Sequence, residues 1–192
     1  MNNISTIKYS SHYPGAIECS KRNYKKIKNT IEWDQEVVRN SPVYRWTALY
    51  SHEDYNYART KHNVHTVWPK LLVKILKMVN DLLSEELDEE IKFNTIFALY
   101  YPDGNSQIGY HPDDESKSVP GSHVASLSLG TGRDFLIKTV KCGTLHKVHL
   151  SHGDLFVMKR GFQQKYIHSI PKRKNVNRGR ICLTFREHIH TD

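Results

Sequence analysis

Cysteine is scarce in this chain: Cys19, Cys142 and Cys182 are its full complement in 192 residues. Their odd number, wide spacing and lack of any Cys-x-x-Cys pair argue against a disulfide framework or a cysteine-based zinc cluster and fit a reducing compartment. Apolar runs are short as well. None approaches the ~18 consecutive residues that a membrane-spanning helix needs, and the opening Met1-Asn2-Asn3-Ile4-Ser5-Thr6-Ile7-Lys8 has no apolar signal core. No membrane association is expected, and a soluble intracellular protein, nuclear or cytoplasmic, is. Acid is in short supply too: 20 Asp and Glu face 28 Lys and Arg, a net charge of +8. This imbalance favours a polyanionic partner, DNA or RNA, because Lys and Arg that neutralise phosphates release counterions on binding. Repeats and low-complexity segments are absent. The length is most economically one domain over 1–192, expected to be a monomer, with a helical and substrate-recognising region at 1–90 and a catalytic core at 91–190.

Along the chain, Ile17, Tyr24, Ile27 and Ile31 recur at helical spacing among lysines, which predicts a basic amphipathic helix over 16–31 with a solvated charged face. Two extended segments between Glu36 and Tyr50 flank a turn at Asn40-Ser41-Pro42 and read as a hairpin, with Val37 and Val38 near its tip as candidates for insertion into a duplex. Tyr55 and Tyr57 follow in a polar stretch; they either stack nucleobases or anchor a loop to the core. A wide apolar stripe through Val67, Trp68, Leu71, Leu72, Ile75, Leu76, Val79, Leu82 and Leu83 predicts a packing helix, with Thr66 as its cap and Pro69 in its first turn. The pattern then switches to eight short strands: 92–101, 107–110, 123–129, 134–140, 145–150, 154–158, 165–168 and 180–186, separated by Gly-containing and polar turns. The expected fold is α+β, mainly β: a double-stranded β-helix, or jelly-roll, core with the N-terminal helices packed on one sheet.

Within this frame one constellation carries chemistry. His111 and Asp113 are two apart, so an extended strand projects an imidazole and a carboxylate from one face, and His168 supplies a third ligand. In a chain with 12 histidines a lone His-x-Asp means little. Two histidines and one carboxylate with an open side, however, is the arrangement of non-heme Fe(II) oxygenases. Arg180 and Arg186, six apart on one strand, present two guanidinium forks suited to the two carboxylates of a diacid such as 2-oxoglutarate. Lys159, Arg160, Lys172, Arg173, Lys174 and Arg178 bracket His168 and read as phosphate contacts.

Tyr100 to Asp103-Gly104, Ile108-Gly109, His111-Pro112-Asp113-Asp114-Glu115, Ala125 to Gly130, Arg133-Asp134-Phe135, His152-Gly153-Asp154, His168-Ser169-Ile170-Pro171 and Arg180 to Arg186 follow one another in the order seen in AlkB-type dioxygenases, which the chain resembles over about 90–187. The similarity is greatest to the animal-type DNA-repair branch. This resemblance implies an Fe(II)-, 2-oxoglutarate- and dioxygen-dependent enzyme that hydroxylates N-methyl groups on damaged bases such as 1-methyladenine or 3-methylcytosine, releasing formaldehyde. It implies that His111, Asp113 and His168 hold the metal, that Arg180 and Arg186 pair with 2-oxoglutarate, that Tyr100 donates to it, and that Glu115 helps read a flipped base. Tyr55, Tyr57 and Arg173 complete the expected substrate contacts. Two positions depart from the family: Ala98, two residues before Tyr100, and Cys182, two after Arg180, stand where asparagines usually contact the co-substrate. The alternatives are the same chemistry on a regulatory RNA methyl group or a protein, or a catalytically silent nucleic-acid-binding relative.

Overall fold

The computed structural model describes residues 4–7, 21–38, 40–51, 56–57, 60–113 and 122–188. Their elements in chain order are β1 (Ile4–Ile7), α1 (Lys21–Thr30), β2 (Asp34–Val38), β3 (Ser41–Tyr50), β4 (Asn56–Tyr57), β5 (Thr60–Lys61), β6 (Val64–His65), α2 (Lys70–Leu87), β7 (Thr95–Tyr101), β8 (Ile108–His111), β9 (Val124–Gly130), β10 (Arg133–Thr139), β11 (Leu145–Leu150), β12 (Leu155–Met158), α3 (Phe162–Lys165), β13 (Tyr166–Ile170) and β14 (Arg180–Arg186). A large sheet runs β1-β12-β9-β14-β7-β3-β2, with β6 added parallel to β3, and a smaller one runs β11-β10-β13-β8. The two sheets form the expected jelly roll. No helix among the described residues is long and apolar enough to cross a membrane.

Strand parity divides the interior into two cores. On β7, Phe97, Leu99 and Tyr101 turn inward between the sheets with Phe135, Phe156 and Met158. Ile96 and Ala98 face the other way, onto Ile27 of α1, Ile31 just past its end, and Leu72, Ile75, Val79 and Leu83 of α2. The same alternation governs β14, where every residue is buried. Ile181, Leu183 and Phe185 join the helix-side core, which leaves Arg180, Cys182, Thr184 and Arg186 facing between the sheets.

The predicted hairpin is present, turning at Asn40 in the left-handed region (φ 62°). Two boundaries are shifted by contacts the structure shows. Helix α2 starts at Lys70, after Pro69 at the cap position, with no side-chain cap bond from Thr66. Proline steers the residue before it out of helical geometry, so Trp68 cannot continue a helix, and Val67 lies outside the stripe at 86% exposure. Strand β7 begins at Thr95 because Phe93 is held by α2: its N–H donates to Asn80 Oδ1 (3.1 Å) and its carbonyl accepts from Asn80 Nδ2 (2.9 Å). For α1, residues 16–20 of the predicted span lie outside the described residues.

Candidate functional site

The small sheet brings the three proposed donors together. His111 ends β8 and is the direct antiparallel partner of His168 on β13, so their rings approach to 4.4 Å between centroids. Asp113 follows two residues after His111. His111 Nε2 lies 3.6 Å from Asp113 Oδ1 and His168 Nε2 lies 3.7 Å from Asp113 Oδ2, and one ligand atom from each residue falls within 4.8 Å of the others. Asp113 and His168 are buried, while the His111 side chain keeps 26% of its surface exposed. Among the described residues, the exposed side of the group is thus the side of His111.

Neighbouring groups fix the orientation of each donor. His111 Nδ1 donates to the Gly109 carbonyl at 2.8 Å, which assigns the proton to Nδ1 and leaves the Nε2 lone pair facing Asp113. Phe135 stacks on His168 at 4.9 Å and 20°. The Asp113 backbone N–H donates to Gln163 Oε1 at 2.9 Å, so a side chain of α3 holds the backbone that carries the carboxylate. Burial pushes the His168 imidazole down to about 4, keeping it neutral and able to ligate. For Asp113 burial acts upward, but Arg186 and the two imidazoles outweigh it and hold the carboxyl well below the usual carboxylate range. On His111 burial acts downward and is outweighed by the Asp113 carboxylate, which raises its pKa. A neutral imidazole, an ionised carboxylate and a second imidazole around one point are the donor set for a divalent first-row metal, and the open side suits Fe(II).

Next to this group lies a cavity lined by Leu99, Tyr101, Ser126, Arg180, Cys182 and Thr184 among others. Arg186 Nη2 sits 2.9 Å from Asp113 Oδ1, joining the cavity to the metal-type centre. Arg180, 2% exposed, donates through Nη2 to Ser128 Oγ at 2.9 Å. Its Nε and Nη1 are buried and meet no hydrogen-bond partner among the described residues. A buried guanidinium with two idle donors is costly unless an anion reaches it, which is the observation that fits a carboxylate-bearing co-substrate to this cavity. Burial pushes the Tyr101 hydroxyl up to about 12, so it stays a neutral donor at the cavity wall.

Not every expected residue is placed there. Tyr100 points to the opposite face of the sheet, where it packs against Trp33 (5.6 Å) and Trp46 (6.3 Å), so Tyr101 replaces it at the cavity. By the same parity Ala98 is buried against the helices and Leu99 is the inward residue two positions before the tyrosine. The expectation was one residue out of register, and a one-residue slip exchanges the faces of a strand. Cys182 does line the cavity, with Sγ 2.8 Å from Ser126 Oγ. Tyr55 and Glu115 lie outside the described residues, and Tyr57 is described only as part of β4. Arg173 is engaged with Asp134, Nη2 to Oδ2 at 2.6 Å, with 41% of its side chain exposed. Arg133 and Ser128 stood inside the matched motifs without a role being read for them, and Gln163 had no sequence signal, because their roles depend on contacts between distant elements.

Fold and centre together define a non-heme Fe(II) oxygenase. The chain belongs to the 2OG-Fe(II) oxygenase superfamily, whose family description matches residues 12–186. That family uses Fe(II), 2-oxoglutarate and dioxygen. Among its relatives the chain is similar to AlkB-type proteins near the animal DNA-repair branch. It is 35% identical over 137 residues to the DNA oxidative demethylase ALKBH2 of Mus musculus, covering 66% of this chain and 55% of that protein. It is 25% identical over 189 residues to alpha-ketoglutarate-dependent dioxygenase alkB homolog 3 of Mus musculus, covering 91% and 64%. The chain spans about half the length of the ALKBH2 proteins it matches, 55%, 48% and 51% for mouse, cattle and human. In fold it resembles the solved structure of OsALKBH1, with a TM-score of 0.65 at 18% identity, covering 96% of this chain and 98% of that one.

Proposed function

We propose that this chain oxidatively demethylates alkylated nucleobases of the 1-methyladenine and 3-methylcytosine type, in DNA or RNA, as part of alkylation-damage repair. The observation that carries the reading is the continuity of the His111, Asp113 and His168 centre with a cavity holding two buried guanidiniums. His111, Asp113 and His168 would hold Fe(II), and Arg180, Arg186 and Tyr101 would hold 2-oxoglutarate. With these and dioxygen bound, the centre supplies hydroxylation of an N-methyl carbon, after which the hydroxymethyl product separates into formaldehyde and the unmodified base.

The rest of the chemistry falls to the chain's own residues. Gly109 and Gln163 hold two of the donors in place, and Phe135 and Phe162 keep one flank of His168 apolar and dry. The flipped base would approach from the exposed His111 side, and Glu115 would help read it. Exposed Lys172, Lys174 and Arg178 supply phosphate contacts beyond His168. We take the active form to be a monomer of one domain.

The test is formaldehyde release and mass change on short DNA and RNA strands carrying 1-methyladenine or 3-methylcytosine, with Fe(II), 2-oxoglutarate and ascorbate. Iron- and 2-oxoglutarate-dependent loss of the methyl group is expected. Slow 2-oxoglutarate consumption without methyl loss would keep the centre and reject these substrates; no consumption at all would favour a silent binding relative.

A further inference from the structure

A further buried guanidinium, beyond those of Arg180 and Arg186, lies behind the cavity. Arg133, at the start of β10, is 1% exposed and does not line the cavity. Its Nη1 donates to the Asp103 carbonyl at 3.1 Å, and its Nη2 to the carbonyls of Ser106 (2.8 Å) and Pro171 (2.6 Å). Nε is buried and meets no hydrogen-bond partner among the described residues. These bonds gather two loops, 102–107 and 171–176. The loops also bond each other, Gly104 N–H to the Val176 carbonyl and Arg173 N–H to the Gly104 carbonyl, both at 2.7 Å. Gly104 permits this: a Cβ there would lie 1.7 Å from the Arg173 carbonyl oxygen.

The electrostatics at this end of the cavity are lopsided. Arg133 lies 5.9 Å and Arg180 5.4 Å from the Tyr101 ring, so two buried cations share one aromatic side chain. The nearby carboxylates are engaged elsewhere, Asp134 with Arg173 and His149, Asp103 with Tyr44 and the Asn105 N–H, and Glu36 with Arg45. Arg133 itself bonds only neutral carbonyls among the described residues. Burial, then Arg180 and Arg173, lower its pKa and outweigh the upward pull of Tyr101 and Asp103.

We infer that Arg133 is a positioning residue that adds a second positive charge at the Arg180 end of the cavity and thereby selects dicarboxylate over monocarboxylate 2-oxo acids. This rests on the co-substrate reading proposed above. The carboxylate gripped by Arg180 then feels two cations, although it touches one. At about 10 Å and an effective dielectric of ~20, an added unit charge changes the affinity of an anion by roughly tenfold.

The experiment compares calorimetric binding of 2-oxoglutarate and 2-oxopentanoate, which share a chain length but differ by the distal carboxylate, to Mn(II)-loaded protein. Wild type should prefer the diacid. Arg133→Met should weaken 2-oxoglutarate about tenfold and leave 2-oxopentanoate within about twofold, because only the diacid carries the second charge. A purely structural role would weaken both acids alike, and that result overturns the inference, as does an unchanged ratio. Arg133→Lys keeps the charge without the planar fork, so it should keep the diacid preference even where Arg133→Met does not fold. Loss of the preference in folded Arg133→Lys overturns the inference independently. A wild type that shows no preference for the diacid overturns both this inference and the co-substrate reading, whereas a wild-type preference retained in Arg133→Met overturns this inference alone.

Discussion

Replacing Arg180 with Met should move stability and affinity in opposite directions. Each hydrogen bond to a charged partner nets about 1.5–3 kcal/mol, so two bonds from Nε and Nη1 to a carboxylate, taken at the low end, are worth about 3 kcal/mol. Their loss should weaken 2-oxoglutarate by about two orders of magnitude. In the ligand-free protein the sign reverses. Exchanging a buried charge for a well-packed apolar side chain is often neutral or stabilising by about 1–4 kcal/mol, less about 1 kcal/mol for the lost bond to Ser128 Oγ. The net is about 0–3 kcal/mol, so the ligand-free midpoint of thermal unfolding should hold or rise by up to ~10 °C, given ~2–4 °C per kcal/mol for a chain of this size. Calorimetry with Mn(II)-loaded protein and thermal unfolding without ligand measure the two sides. A 2-oxoglutarate affinity within threefold of wild type, or a ligand-free midpoint lowered by several degrees, would refute the reasoning that Arg180 is held ready for an anion.

Three further outcomes are expected. Tyr101→Phe should lower 2-oxoglutarate affinity about fivefold, the worth of one neutral hydrogen bond of ~1 kcal/mol, while Tyr100→Phe leaves it unchanged; equal effects would place both rings wrongly. Gln163→Ala removes the acceptor of the Asp113 N–H, so Co(II) affinity followed by absorbance should fall several-fold, against a loss of at least ~100-fold for Asp113→Ala, which deletes a ligand outright. Cys142 is exposed, and hydrogen bonds from the Thr139 and Thr144 hydroxyls bring its pKa down to about 7. Its alkylation by iodoacetamide should thus rise with pH through a midpoint near 7, and Thr139→Val, which removes the larger thiolate-stabilising contact, should move that midpoint upward.

The strands of the core were readable because period-two alternation and Gly-bearing turns are local signals; β11 and β14 begin and end where the pattern places them. The donors were readable for the same reason, since His111 and Asp113 share a face by spacing alone. The tyrosine pair was not. Two adjacent Tyr residues satisfy a motif equally, and only the pairing of β7 with β3 and β14 decides which one faces inward. The start of α2 shows propensity yielding to sterics at Pro69. The contacts of Arg133 and Gln163 lay beyond reach because each bonds partners 27 to 50 residues away, a separation no window of sequence reports.

Among the described residues, strand β8 is the edge of the small sheet and pairs only with β13, with an irregularity between its two aligned residue pairs. It is a weakly laced strand, yet it carries His111 and leads directly to Asp113. A metal gripped by these two and by His168 therefore works as a rivet, fastening the loose edge to its neighbour across 57 residues of chain. Loading the centre should slow amide hydrogen exchange in β8 while leaving the seven-residue strand β14, already enclosed on both sides, unchanged. The edge of the sheet thus reports whether the centre is filled.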